Sequence, residues 1–285
     1  MNKIKYFEPN TKGRDLIVGD IHGCLEDLLL ALKALNFDEK VDRLFSVGDL
    51  IDRGPNSYEC AQLIYKDWFH AIRGNHEDMM IRTILRGEYD ASRMWIDNGG
   101  DWIYKQGTYE QQYSKEDLKE LALDLDELPL VIIVGTGEKR FNIVHAEFRR
   151  AVVSQGGVFA FVHTNVNDQD VDRWTFSSAD EQSMMWGRTL IRGPIDQQNL
   201  QKGLSETFVG HTPVYHIVRA MQQMYIDTGC VYHYISNKRD GQALTFAEPR
   251  EQVVHMWSPA WKKLTTKPFA EIPTVQELIN KNIKV

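Results

Sequence analysis

Cysteine is scarce in this chain: Cys24, Cys60 and Cys230 are the three among 285 residues, far apart and without a CxxC pair. That excludes a disulfide framework and a zinc knuckle, and leaves three reduced, buried thiols as the expectation. It also excludes the cysteine-phosphatase loop, in which an arginine six residues after a thiolate completes a phosphate cradle, because Leu30, Lys66 and Ser236 stand at those positions. No apolar run approaches the roughly 18 residues that cross a bilayer, and Lys3, Lys5 and Glu8 fall where a secretory leader would need an apolar stretch. The expectation is a cytoplasmic protein with no membrane partner. Positive charge is short as well: 33 Lys and Arg against 40 Asp and Glu give a formal charge of −7, the wrong sign for a general nucleic-acid binder. What the chain does have is 42% hydrophobic residues and no low-complexity linker, enough to bury a large core.

The first 90 residues use one pattern three times. A short apolar run meets a Gly-Asp or Gly-Asn punctuation, and a segment with helical spacing follows. Leu16-Ile17-Val18 leads to Gly19-Asp20 and then to Leu25, Leu28, Leu29 and Leu32, spaced for one helix face. Leu44 to Val47 leads to Gly48-Asp49, and His70-Ala71-Ile72 leads to Arg73-Gly74-Asn75. The polar positions 20, 49 and 75 are 29 and 26 residues apart, the length of βαβ units, so the strands should lie parallel with their C-terminal ends together. That edge is where open α/β sheets place ligands.

Ser114 to Asp117 reads as a capping box opening a helix with Leu118, Leu121, Ala122 and Leu125 on one face. Leu130–Val134, a Gly135-Thr136-Gly137 turn and Phe141–Val144 read as a hairpin. Residues 146–206 read as loops and helices over the sheet edge, with a helix near 180–186. Strands are expected at 207–209, 224–226, 243–246 and 253–256. The simplest partition is a single α/β catalytic domain over 1–257 and a C-terminal extension over 258–285, with a short amphipathic stretch at 275–279.

Asp20, His22, Asp49, Asn75, His145 and His211 all stand at strand ends. A lone Asp or His after a strand is commonly a turn residue. Six together make a mixed oxygen and nitrogen ligand set without thiolate, suited to Mn²⁺, Fe²⁺ or Zn²⁺. One ion would not use all six, whereas two ions about 3.5 to 4 Å apart would if a carboxylate bridged them, a recurring device for displacement at phosphorus. Asp49, in the central motif, is the candidate bridge. His76 and Asp52 fit acid–base chemistry better, because a carboxylate beside an imidazole fixes its tautomer and favours the imidazolium. Arg53, Arg73 and Arg188 are candidate phosphate ligands, since guanidinium forks match phosphate oxygens. His70, His163, His216, His233 and His255 have no matched partner and receive no role.

Gly19-Asp20-Ile21-His22-Gly23, Gly48-Asp49-Leu50-Ile51-Asp52-Arg53-Gly54, Gly74-Asn75-His76-Glu77, His145 and Gly210-His211-Thr212 resemble the phosphoprotein phosphatase family of metallophosphoesterases. Asn98-Gly99-Gly100, Glu127-Leu128-Pro129-Leu130 and Tyr225-Ile226-Asp227-Thr228-Gly229 extend the likeness to its phage and bacterial branch, over about 14–230. The resemblance implies a calcineurin-like fold, a central β-sandwich flanked by helices. It implies Asp20, His22 and Asp49 on a first metal, Asp49, Asn75, His145 and His211 on a second, and Mn²⁺ as the usual ion. His76 with Asp52 would be the acid dyad, and Arg53, Arg73 and Arg188 would hold phosphate. The implied reaction is hydrolysis of a serine or threonine phosphomonoester, with dual specificity as a variant, by a hydroxide bridging the metals. The partner is a phosphorylated protein or peptide rather than nucleic acid. A diadenosine tetraphosphate hydrolase shares the motifs and is the alternative; Asp52-Arg53 favours the protein phosphatase. Ala146-Glu147 departs from the two glycines of eukaryotic relatives, and the stretch from His145 to Arg188 is longer than in the phage enzyme.

Overall fold

Short runs such as Leu16-Ile17-Val18 and Leu44-Phe45 are apolar without alternation, the mark of strands covered on both faces. The computed structural model describes residues 3–153, 161–164, 166–192, 203–236 and 241–285, and it shows what covers them. One six-stranded sheet runs, in spatial order, Lys263–Pro268, Val253–Ser258, Leu244–Glu248, Asp15–Val18, Arg43–Ser46, Phe69–Ala71. The second runs Ile4–Phe7, Val131–Val134, Phe141–Val144, Glu206–Val209, Gln223–Tyr225, Val218–Ala220. Ile17 pairs with Phe45 across the first sheet, and both point inward to meet Ile132, Ile143, Phe208 and Met224 of the second. Their neighbours Leu16, Val18 and Leu44 point outward to Leu28, Met79, Trp95 and Leu121 on helices. Val131, Val144 and Val209 point outward from the second sheet to Met184, Leu190 and Leu278. The result is the calcineurin-like α/β architecture, two stacked sheets with helices on both outer faces.

Asp15–Val18, Arg43–Ser46 and Phe69–Ala71 are parallel, as their spacing predicts. In the second sheet Phe141–Val144, Glu206–Val209 and Gln223–Tyr225 are parallel too. Six strand ends from two sheets therefore release their loops at one rim, three carrying Asp20, Asp49 and Asn75 and three carrying His145, His211 and Asp227. The expected hairpin is present, with Val131–Val134 antiparallel to Phe141–Val144. Ser114 Oγ accepts the Asp117 N–H at 3.0 Å and opens the helix Lys115–Asp126, whose predicted face is buried. The three cysteines are buried and unpaired.

Within 146–206 the expected helix is found at Ser178–Trp186, joined by shorter helices at Asp168–Asp172 and Thr189–Arg192. An antiparallel pair, Arg150–Val153 with Phe161–Thr164, has no signal in the pattern. The parts of that reading at 154–160, 165 and 193–202 lie outside the described residues. Residues 258–285, read as an extension, supply the edge strand Lys263–Pro268, put Phe269 and Ile272 between the sheets and pack Val275 and Leu278 outside the second. The edge strand is almost wholly exposed and shows no alternation, so its sequence carried no strand signal. Among the described residues no helix is long and apolar enough to cross a membrane.

Candidate active site

The loops at this rim are strained. His22, Asp49, Asp52, Arg53 and His211 have positive φ, at 44°, 52°, 75°, 71° and 65°, which costs a residue with a side chain on the order of 1 kcal/mol or more. Glu77 holds the loop that begins at Asp49. Its buried carboxylate accepts N–H groups from Asp49 at 3.0 Å, Leu50 at 2.8 Å and Gly74 at 2.8 Å, tying two loops to the helix Asn75–Ile84. Gly74 is required by close approach: a Cβ there would lie 2.2 Å from Asp49 Oδ1.

Asp49 is the hub. Its Oδ1 accepts the His76 backbone N–H at 3.0 Å, and its Oδ2 lies 3.3 Å from His145 Nε2, 3.6 Å from His22 Nε2 and 3.9 Å from His76 Nε2. His22 and His145 each donate Nδ1–H to a carbonyl, of Ile51 at 2.8 Å and Val47 at 2.7 Å, and so present Nε2 to the cluster. Asn75 Oδ1 sits 2.9 Å from His145 Nε2 and 2.8 Å from His211 Nδ1. Such spacing matches neighbouring ligands of one ion, about 3 Å apart for bonds of about 2.1 Å. Among the described residues two groups have ligand atoms within 4.8 Å of one another: His22, Asp49 and His76, and Asp49, His145 and His211. Asp49 belongs to both, which is the position of a bridge. Asp20 stands outside both groups, its carboxylate accepting the His211 backbone N–H at 2.9 Å.

Electrostatics favour a cation here. Burial, then Asp227 and Asp49, push the Asp20 carboxyl well above its ordinary range, and burial raises Asp227 to about 6. Burial also works against the Asp49 anion, but His145, His76 and His22 outweigh it and hold that carboxyl well below its usual range. Burial, followed by Arg53 and His76, lowers His22; burial, followed by His145 and Arg188, lowers His211, whose Nε2 is buried without a hydrogen-bond partner. His22 and His211 are thereby favoured as neutral imidazoles and Asp49 as a carboxylate, the protonation states that bind metal. For His145, by contrast, burial is outweighed by Asp49, which raises it, and the raised Asp20 calls for a cation to ionise it. The donor set therefore fits divalent ions.

His76 Nδ1 donates to Asp52 Oδ2 at 2.6 Å, so the expected pair is formed. Asp52 is fully buried and is held by two indoles: Trp95 Nε1 at 3.0 Å from both oxygens and Trp102 Nε1 at 2.7 Å from Oδ1. Neither tryptophan is evident from sequence, although both flank Asn98-Gly99-Gly100. Replacing Trp102 with Phe should cost about 2 kcal/mol, the size of a hydrogen bond to a charged acceptor. Urea denaturation reads this directly, and an unchanged midpoint would remove Trp102 from the support of Asp52.

The three arginines differ. Arg53 Nη1 donates to His22 Nε2 at 2.7 Å. Arg188 is half-buried, its Nε lacks a hydrogen-bond partner, and burial followed by Arg192 and Arg53 disfavours its charge. Arg73 bonds the Asp126 carbonyl and pairs with its carboxylate at 2.9 Å, at the end of the helix Lys115–Asp126.

Parallel strand ends from two stacked sheets, converging on a carboxylate shared between imidazole groups, define a hydrolase of the metallophosphoesterase class. The chain belongs to the calcineurin-like phosphoesterase family, whose model matches residues 14–254. It is 32% identical over 216 residues to serine/threonine-protein phosphatase 1 of Salmonella typhimurium, covering 76% of this chain and 86% of that one. A stretch of 71 residues is 41% identical to the symmetrical bis(5'-nucleosyl)-tetraphosphatase of Actinobacillus pleuropneumoniae serotype 5b, covering 24% of this chain and 26% of that one. Among solved structures, a protein serine/threonine phosphatase from Saccharomyces cerevisiae shares the fold, with a TM-score of 0.54 at 16% identity over 93% of this chain and 83% of the other.

Proposed function

We propose that this chain is a serine/threonine protein phosphatase that hydrolyses phosphomonoesters at a dinuclear centre. The observation that carries the reading is the buried His76–Asp52 pair, whose free ring nitrogen lies 3.9 Å from the shared Asp49 carboxylate. Asp20, His22 and Asp49 would hold one ion and Asp49, Asn75, His145 and His211 the other, Mn²⁺ ahead of Fe or Zn. When bound, such ions supply Lewis-acid charge and lower the pKa of water. The remaining steps fall to side chains. Arg53 and Arg188 grip phosphate oxygens through their forks. Arg73 is proposed for the same set, and its pairing with Asp126 is the contact a phosphate must replace. Asp52 fixes the His76 ring through Nδ1, leaving Nε2 to protonate the departing alkoxide. The 86% coverage of the Salmonella typhimurium phosphatase supports this reading.

Dinucleoside tetraphosphate hydrolysis is the second reading, favoured by the 71-residue stretch shared with the tetraphosphatase. Turnover with Mn²⁺ of phosphoserine, phosphotyrosine and phosphohistidine peptides beside diadenosine tetraphosphate separates them. The expected order puts the phosphoserine peptide above the dinucleotide, and the reverse order would replace the first reading with the second.

A further inference from the structure

Ala146-Glu147, the point of departure from eukaryotic relatives, lies directly after the ligand candidate His145. Glu147 is fully buried. Its Oε1 accepts the Leu190 N–H at 2.6 Å, and its Oε2 accepts the Thr189 hydroxyl at 2.8 Å. These are the two residues that follow Arg188. The base from which Glu147 reaches is itself fastened on both sides. Ala146 N–H donates to the Met184 carbonyl at 2.7 Å, while the Gln223 amide both accepts from Phe148 N–H at 2.8 Å and donates to its carbonyl at 3.1 Å. On the other side of Arg188 the fit is equally close: a Cβ on Gly187 would stand 3.0 Å from Glu147 Oε2. Arg188 thus stands between a glycine with little room for a side chain and two residues held by one carboxylate.

We infer that Glu147 is a positioning residue, which pins Thr189 and Leu190 so that the Arg188 guanidinium is aimed at the phosphate beside Asp49. The inference rests on Arg188 being a phosphate ligand. A carboxylate that served the fold alone would change stability when removed, but would not act through Arg188. Through it, the strand end that carries His145 is joined to the arm that carries Arg188.

The test is a double-mutant cycle on the full chain with Mn²⁺ and p-nitrophenyl phosphate, reading kcat, KM and inhibition by inorganic phosphate. Glu147→Ala should raise KM and the phosphate inhibition constant together by on the order of 10-fold, less than the roughly 100-fold that a 1 Å misplacement can cost. In an Arg188→Ala background the same change should add almost nothing, because coupled residues are not additive. Glu147→Gln, which keeps a carbonyl for the Leu190 N–H, should show a smaller rise that also vanishes without Arg188, and it carries the cycle should Glu147→Ala not fold. Full additivity, or a lowered unfolding temperature with KM unchanged, would overturn the inference. If Arg188→Ala itself leaves phosphate inhibition unchanged, the phosphate role of Arg188 fails first, and the positioning role falls with it.

Discussion

His76→Asn is expected to lower turnover of an alkyl phosphate by on the order of 10² to 10⁴, the usual size of a general-acid contribution, while bound metal is retained. The ring is oriented from behind, through the 2.6 Å bond to Asp52, and Asp52 is in turn held by Trp95 and Trp102. Two layers of hydrogen bonds thus fix one nitrogen at the rim of the cluster. An alkoxide leaving group needs a proton and an aryl oxide needs far less help. The loss on an aryl phosphate should therefore be smaller. Equal losses on the two substrates would mean that His76 acts as a ligand or a prop rather than as the acid. That is a real alternative, since His76 also falls in the compact group with His22 and Asp49; metal analysis of the variant decides between the two roles.

Asp49→Asn should be at least as damaging. Its Oδ2 is the atom that three imidazole nitrogens approach within 3.9 Å, and it is the residue common to both candidate ligand groups. The amide keeps the oxygen that accepts the His76 N–H and removes the charge. A bound ion contributes several kcal/mol to the transition state, which at about 1.4 kcal/mol per decade is about 10³ in rate. The variant should lose metal on dialysis and fall by about 10³ or more in kcat/KM. Retention of both ions with activity within tenfold of the parent would show that Asp49 is no bridge.

Much of this site can be read in the chain because parallel strands place chemistry at regular intervals. Asp20, Asp49 and Asn75 sit one βαβ length apart, so their convergence followed from spacing alone. His145 and His211 followed from standing at the ends of apolar runs. The supports could not be read that way. Glu77 and Glu147 bind backbone N–H groups, which any residue presents, so no partner residue type marks them. Trp95 and Trp102 read as ordinary core aromatics, and only the fold brings their N–H groups to Asp52, 43 and 50 positions away. Asp227 lies inside a motif whose likeness was visible, but its burial beside Asp20 was not. Arg73 was read for phosphate from its place next to Gly74, and its pairing with Asp126 is a contact that spacing along the chain does not reveal. The formal charge of −7 argued only against polyanionic partners. Two divalent ions with Arg53 and Arg188 would make the rim locally positive, because bound ions dominate a site's field.

If the Asp49 carboxylate joins two metal positions, the chain must bind two ions close together. Titrating the metal-free chain with Mn²⁺ while recording electron paramagnetic resonance should show two equivalents bound and an exchange-coupled signal, with activity rising alongside the coupled species. Saturation at one equivalent, with the signal of an isolated ion and full activity, would contradict the dinuclear account.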